Sequence, residues 1–372
     1  MNKGWTWKPL GKVCKTGSGG TPLSSRKEYY EGGNIPWLLS GEVAQGNVRV
    51  ATKNITKEGL QNSAAKIFPR NTVLVAMYGA TAGQVGILRF EAATNQAICG
   101  ILPNERFIPE FLFYFLLSKK DELVAQATGN AQPNISQIKI KNTEVPVPPL
   151  PEQQRIVGIL DEAFEGLATA KANAEKNLQN ARAIFESHLQ SVFSQRGPGW
   201  VEKPFEGCIE DVKYTAKIQR KEFLGEGEFP IVSQEAEFTN GYWDSAADVF
   251  KVTRPIVVFG DHTQVLKYID FDFVLGADGV KLLSPKSFLN PKFFFYALRS
   301  APLKSLGYAR HYRLLKELQI GYPDANTQVA IAKKLDALVE ETQHLTRLYE
   351  RKIAALEELK QSLLHQAFTG QL

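Results

Sequence analysis

One segment with the pattern of a long helix occurs twice in this 372-residue chain, in the same register. The first copy begins Pro148-Pro149-Leu150-Pro151-Glu152-Gln153-Gln154-Arg155-Ile156 and runs to about Gln195. The second begins Pro323-Asp324 and runs to about Thr369. A gapless shift of 175 positions lays Pro148 on Pro323, Gln153 on Gln328, Ile156 on Ile331, Leu160 on Leu335 and Asp161 on Asp336. The same shift lays Ser187 on Ser362, Leu189 on Leu364 and Phe193 on Phe368. An internal repeat decides architecture before any local motif does. This unit is far longer than a solenoid repeat and occurs in two copies, so the chain is a duplicated half-molecule and not an array.

Each helix follows a segment of ordinary domain size. The expected plan is a first globule over 1–150, a helix over 151–196, a second globule over 197–322 and a second helix over 323–372. The globules echo one another more faintly than the helices do. Pro109-Glu110-Phe111-Leu112-Phe113-Tyr114 resembles Pro291-Lys292-Phe293-Phe294-Phe295-Tyr296, Trp7-Lys8-Pro9-Leu10 resembles Glu202-Lys203-Pro204-Phe205, and Gly129-Asn130-Ala131 resembles Gly307-Tyr308-Ala309. Runs such as 72–78 and 255–259, apolar and stopped by Gly79 and Gly260, read as strands. Pro109 to Ser118 and Pro291 to Ser300 read as short helices with proline in the first turn. The globules are therefore mixed α and β.

The long segments carry a four-three apolar spacing, the mark of a coiled-coil seam. In the first it runs through Leu160, Phe164, Leu167, Leu178, Phe185 and Val192, interrupted at Lys171 and His188. In the second it runs through Leu335, Leu338, Leu345, Ile353, Leu356 and Leu363, with Leu359 on the same face. A 45-residue helix spans about 67 Å, too long to fold into one globule. Two such amphipathic helices bury their stripes best against each other. The fold class expected is α+β: two mixed α/β domains joined by two long helices packed as an antiparallel coiled coil, with pseudo-twofold symmetry.

Charge is unevenly shared. Residues 1–150 carry an excess of +7, residues 197–322 are neutral, and each helical segment is near −1. The first globule alone has the basic excess that attracts phosphate. In the second, Lys213, Lys217, Arg220 and Lys221 lie together, as do Arg310, His311 and Arg313. Cys14, Cys99 and Cys208 are odd in number and far apart, which argues against a disulfide framework or a zinc cluster and suits a cytoplasmic protein. No apolar run reaches membrane-spanning length.

Catalytic signatures are lacking. Thr16-Gly17-Ser18-Gly19-Gly20-Thr21 has no Gly-Lys-Ser/Thr ending and reads as a flexible surface loop. Gly79 to Gly83 reads as a tight turn between strands. Asp211-Val212-Lys213 and Glu350-Arg351-Lys352 lack the upstream acid a nuclease needs. The histidines are scattered, without metal-ligand spacing. Asp261-His262-Thr263 has no nucleophile beside it and reads as a polar loop contact. Val147-Pro148-Pro149-Leu150 lacks the polar residue and aromatic of an amino-methyltransferase motif and reads as a stiff lead-in to the helix. No catalytic residue, no metal and no cofactor is assigned to this chain; it reads as a binding protein.

Taken together, the alternation of variable globules with repeated helices, the string Val145-Pro146-Val147-Pro148-Pro149-Leu150-Pro151-Glu152-Gln153-Gln154-Arg155-Ile156 and the shared Ser-x-Leu-x-x-x-Phe helix ends resemble the DNA-specificity subunit of type I restriction–modification systems. Tyr29 to Trp37 and Gly129 to Ile135 fit the first target-recognition domain of that family, and Gly276 to Leu283 the second. The lead-in to the second helix departs from the family pattern, keeping only Pro323 and Gln328. The resemblance implies a non-catalytic subunit whose two target-recognition domains each read half of a split, asymmetric target in double-stranded DNA. It implies that two methyltransferase subunits dock on the helices, holding S-adenosylmethionine themselves, and that motor–endonuclease subunits can add. On residues alone, a two-domain scaffold for some other ligand on a coiled-coil strut and an unrecognised nuclease stay open. The DNA contacts expected are Lys15, Ser18, Thr21, Ser24, Arg26, Lys27, Gln132 and Asn134 in the first domain. In the second they are Lys217, Arg220, Lys221, His262, Arg310, His311 and Arg313.

Overall fold

The computed structural model describes residues 5–126, 134–307 and 309–372. The two repeated segments are helices of 45 residues each, Leu150–Ser194 and Ala325–Thr369. Compactness groups the chain into one unit of residues 1–173 with 352–372 and another of residues 174–351, so each long helix contributes to both.

In the first unit a five-stranded sheet has the order Thr16–Ser18, Ile98–Ile101, Val73–Ala76, Val85–Leu88, Asn47–Val48. A four-stranded sheet has the order Lys53–Ile55, Ile35–Leu38, Ala92–Thr94, Ile67–Phe68, with its central pair parallel. A ribbon of Thr6–Pro9 with Glu144–Val147 closes the domain onto the start of the long helix. The second unit repeats most of this plan, lacking a counterpart of Asn47–Val48 and adding a strand at Lys217–Ile218. One sheet runs Ile209–Glu210, Val280–Pro285, Ile256–Gly260, Leu266–Ile269. The other contains Gly241–Trp243, Phe229–Val232 and Phe273–Gly276, again with a parallel central pair, and Val249–Phe250 pairs with Phe273–Gly276. The ribbon is Val201–Pro204 with Gln319–Tyr322. The short helices form at Pro109–Ser118 and Pro291–Ser300, each with proline in its first turn.

The same side chains fasten globule to helix in both units. Gln153 is fully buried; its Nε2 donates to the carbonyls of Arg106 (2.8 Å) and Pro148 (2.9 Å), and its Oε1 accepts from the Ile108 amide (2.9 Å). Gln328 repeats all three bonds, to Phe288 O (3.1 Å), Pro323 O (2.9 Å) and the Asn290 amide (2.7 Å). The Tyr114 hydroxyl donates to Asp161, and that of Tyr296 to Asp336 at 2.6 Å. Phe368 packs on Phe111 and Phe115, ring centroids 5.4 and 5.3 Å away, as Phe193 packs on Phe293 at 5.3 Å. These are the residues that the 175-position shift superposes, or sit where the two globules echo each other.

The altered lead-in to the second helix has its own cap. Asp324 Oδ1 accepts from the amides of Asn326 (2.9 Å) and Thr327 (3.1 Å), which satisfies donors that the helix start leaves open.

Within the first unit the long helices pair antiparallel, with Lys171 on Glu357 at 3.1 Å and Lys360 over the Phe164 ring. Within the second, Arg182 meets Glu350 at 2.8 Å, and Phe185, Leu189 and Leu335 are buried together. Leu160 is buried, and Phe164, Leu167, Leu178, Val192, Leu338, Leu345, Ile353, Leu356 and Leu363 are half-buried. Leu359 is 47% exposed, contrary to the expected face. The seam steps from Leu356 to Lys360, whose ammonium lies over the Phe164 ring, and then to the buried Leu364 and Ala367. A lysine can hold this seam position because its ammonium is attracted to the face of an aromatic ring.

Residues 16–21 are not a flexible loop. Thr16–Ser18 is a strand on the edge of the five-stranded sheet, and Gly19 and Gly20 press on the backbone of residues 94–95 and 64–65. A Cβ at Gly19 would lie 2.1 Å from the Thr94 carbonyl, so the glycines serve close packing.

Candidate nucleic-acid interface

In the first unit the polar residues expected at the interface flank this edge strand. Ser18 Oγ donates to Gln137 Oε1 (3.3 Å), and Gln137 Nε2 donates to Thr16 Oγ1 (3.0 Å). Asn134 bridges to Tyr78, and the Ile135 amide donates to Met77 O (2.8 Å). Ser18 and Asn134 are thus brought to one region by Gln137. Thr21 donates to Gln96. Beyond it the chain is pinned from below: Trp37 Nε1 donates to Gly20 O (3.0 Å), and Tyr30 packs edge-on against Trp37. Lys15, Ser24, Arg26 and Lys27 are exposed on this support. Arg26 is paired with Glu28 at 3.1 Å, which offsets its charge, whereas Lys27 has no ion-pair partner among the described residues. Gln132, with Gly129, Asn130 and Ala131, lies outside the described residues.

In the second unit Lys217, Arg220 and Lys221 are exposed around a short strand, Lys217–Ile218, that runs parallel to Phe273–Gly276. Lys217 donates to Val280 O (3.3 Å) and lies over the Tyr214 ring; burial, and then the Lys281 charge, push its ammonium below the usual lysine range. Arg220 stands 3.8 Å from Glu235. The backbone amide of the half-buried His262 donates to Gln234 Oε1 at 3.2 Å. Nearby, the buried Lys267 holds the chain turn from inside, donating to Glu237 O and, at 3.1 Å, to Asn240 Oδ1. Arg310 and Arg313 are exposed.

His311, by contrast, is a structural residue. It is 1% exposed, its Nδ1 lies 3.0 Å from Asp261 O, and its Nε2 accepts from the Leu306 amide at 2.9 Å. Both ring nitrogens are used inside the fold, which requires the neutral ring protonated on Nδ1. Asp261 is buried too, accepting the Tyr312 amide on Oδ1 at 2.7 Å. The Asp261-His262-Thr263 string is thus a polar anchor for the segment that carries Arg310 and Arg313.

All three cysteines are buried, and burial pushes their thiols up, Cys99 to about 12. Among the described residues no group of His, Cys, Asp and Glu side chains could hold a metal ion, and no helix is long and apolar enough to cross a membrane.

Residues 2–178 match the family described as the type I restriction modification DNA specificity domain. The chain is also similar over almost its whole length to a type I restriction enzyme specificity subunit (MjaVIII) of Methanocaldococcus jannaschii, at 20% identity over 92% of this chain and 90% of that one. The first half of this chain is thus similar to the type I DNA-specificity domain, and the chain as a whole to specificity subunits. The EcoR124I/EcoR124II specificity subunit of Escherichia coli is 29% identical over 50% of this chain, and the match spans 48% of that subunit's own length. A chain in a solved type I restriction–modification assembly shares the fold with a TM-score of 0.82, at 20% identity and covering 100% of this chain and 99% of that one.

Several residues that shape the polar faces escape sequence reading. Gln137, Gln96 and Gln234 tie the candidate segments to their neighbours. Single glutamines carry no motif. The available signal is indirect: Gln137 follows Asn134-Ile135-Ser136, where Ser136 caps a short helix and so turns Gln137 back toward the sheet edge.

Proposed function

We propose that this chain is a recognition subunit that reads duplex DNA and does no chemistry itself. Each unit reads one part of a split, asymmetric target. Methyltransferase subunits dock on the long helices and hold the S-adenosylmethionine that supplies the methyl group; motor–endonuclease subunits complete a restricting form. One observation carries this reading. The two units repeat one strand plan and the same glutamine and tyrosine anchors, while the polar segments mounted on those frames differ in sequence. A common frame with different reading surfaces suits two different half-sites, and side chains on base edges supply the specificity.

Salt dependence tests the ligand class. Phosphate contacts release counterions, so the logarithm of the binding constant falls linearly with the logarithm of salt, by about 0.9 for each phosphate neutralised. The chain assembled with its methyltransferase subunits is expected to bind duplex DNA with a slope steeper than about −3, and Arg220→Ala with Lys221→Ala should make it shallower. Duplex binding that is absent or indifferent to salt would contradict the reading. Metal-dependent cleavage by the chain alone would favour a nuclease.

A further inference from the structure

We infer that Arg49, Arg70 and Arg89 of the first unit form a second backbone-phosphate site, separate from the 15–27 segment, a proposal that rests on the DNA-reading function above. Strand pairing brings the three together. Asn47–Val48 lies parallel to Val85–Leu88, and the Arg89 amide donates to Val48 O (2.9 Å), so Arg49 and Arg89 leave neighbouring strands at the same end. The Asn71 amide donates to Leu88 O (2.6 Å), which sets the turn carrying Arg70 beside them. With Asn47, the three arginines line one open recess of about 500 Å³.

Donors dominate the recess. Arg89 is a fixed post: Nε donates to Asn47 Oδ1 (2.7 Å), Nη1 to Asn71 Oδ1 (3.2 Å) and Nη2 to Glu110 (2.8 Å). A guanidinium only donates, so it turns both asparagine oxygens toward itself. Each asparagine NH2 is then left without a hydrogen-bond partner among the described residues. Arg49 and Arg70 are exposed and have no ion pair among the described residues. Three guanidiniums and one carboxylate leave a local excess of two positive charges, held together by backbone pairing at an electrostatic cost. Forked donors and amide NH2 groups without matching acceptors suit a phosphate. An open recess on the unit with the basic excess suits a passing polymer backbone better than a small enclosed ligand.

The test uses the chain assembled with its methyltransferase subunits and a mixed-sequence duplex of about 30 base pairs, with salt titrated. Losing two phosphate contacts is expected to make the salt slope of Arg49→Ala/Arg70→Ala shallower by about 1.8. Arg49→Lys/Arg70→Lys keeps the charges and should keep most of the slope. The methylated sequence should stay the same in both, because phosphate contacts carry no base information. A double-alanine complex with the parent's slope overturns the proposal. So does a double-alanine chain that keeps the slope but loses its methyltransferase subunits on gel filtration, which would assign the recess to an acidic protein surface. A parent complex without salt-dependent binding overturns the DNA reading itself, and this site with it.

Discussion

Tyr114 and Tyr296 each set a phenol, within a largely apolar contact, against a carboxylate of a long helix. Burial, and then the hydrogen bond to Asp161 or Asp336, hold both phenols well above the usual tyrosine range. An unfolded tyrosine ionises near pH 10. The folded form resists ionisation, so this stabilisation is complete below about pH 10 and is lost as pH rises through the folded value. The urea midpoint is expected to fall above about pH 10. A Tyr114→Phe/Tyr296→Phe variant should be less stable at neutral pH, by about 1–2 kcal/mol for each tyrosine, and should show a smaller alkaline fall. An unchanged alkaline profile would contradict this account. At this scale the sequence was legible only in part. Gln153 and Gln328 stand out as repeated positions, but their three-bond forks do not, because the partners are backbone groups with no sequence signature. His311 sits in a basic string, and nothing in that string shows that its ring turns inward onto Asp261.

The long helices were legible because a four-three pattern over 45 residues is a strong periodic signal. The exchange of Leu359 for Lys360 in the seam was not, since a lysine counts as polar in any such pattern. The edge strand at 16–18 escapes for a related reason: the glycines that follow it, Gly19 and Gly20, serve close packing, which sequence cannot tell from mobility. If the helices set the distance between half-sites, lengthening both should widen the unread gap. Four residues inserted after Asn173 and four before Lys352 leave the pairs Lys171–Glu357 and Arg182–Glu350 intact on either side. Four residues add about 6 Å, more than one base-pair rise of about 3.4 Å and less than two. The methylated motif should gain one or two unread base pairs and keep both half-sites. A changed half-site with an unchanged gap would sink the idea of a helical ruler.

For the molecule as a whole, the duplication is the central fact. Its helical part can be read directly, because seam and anchors tie residue identity to a rigid spacing. Its globular part survives as topology: strand order, parallel central pair and closing ribbon recur while few residues do. Backbone pairing tolerates most side chains, so the repeat fades from the sequence where the reading surfaces diverge. The account holds that two like frames with unlike surfaces read two unlike half-sites. Its most direct test is a methylation map of a host expressing this chain with its methyltransferase subunit. The result expected is one asymmetric motif whose two halves are separated by unread bases, with half-site centres about one helical turn apart or slightly more. One continuous motif, or a symmetric one with identical halves, would contradict it.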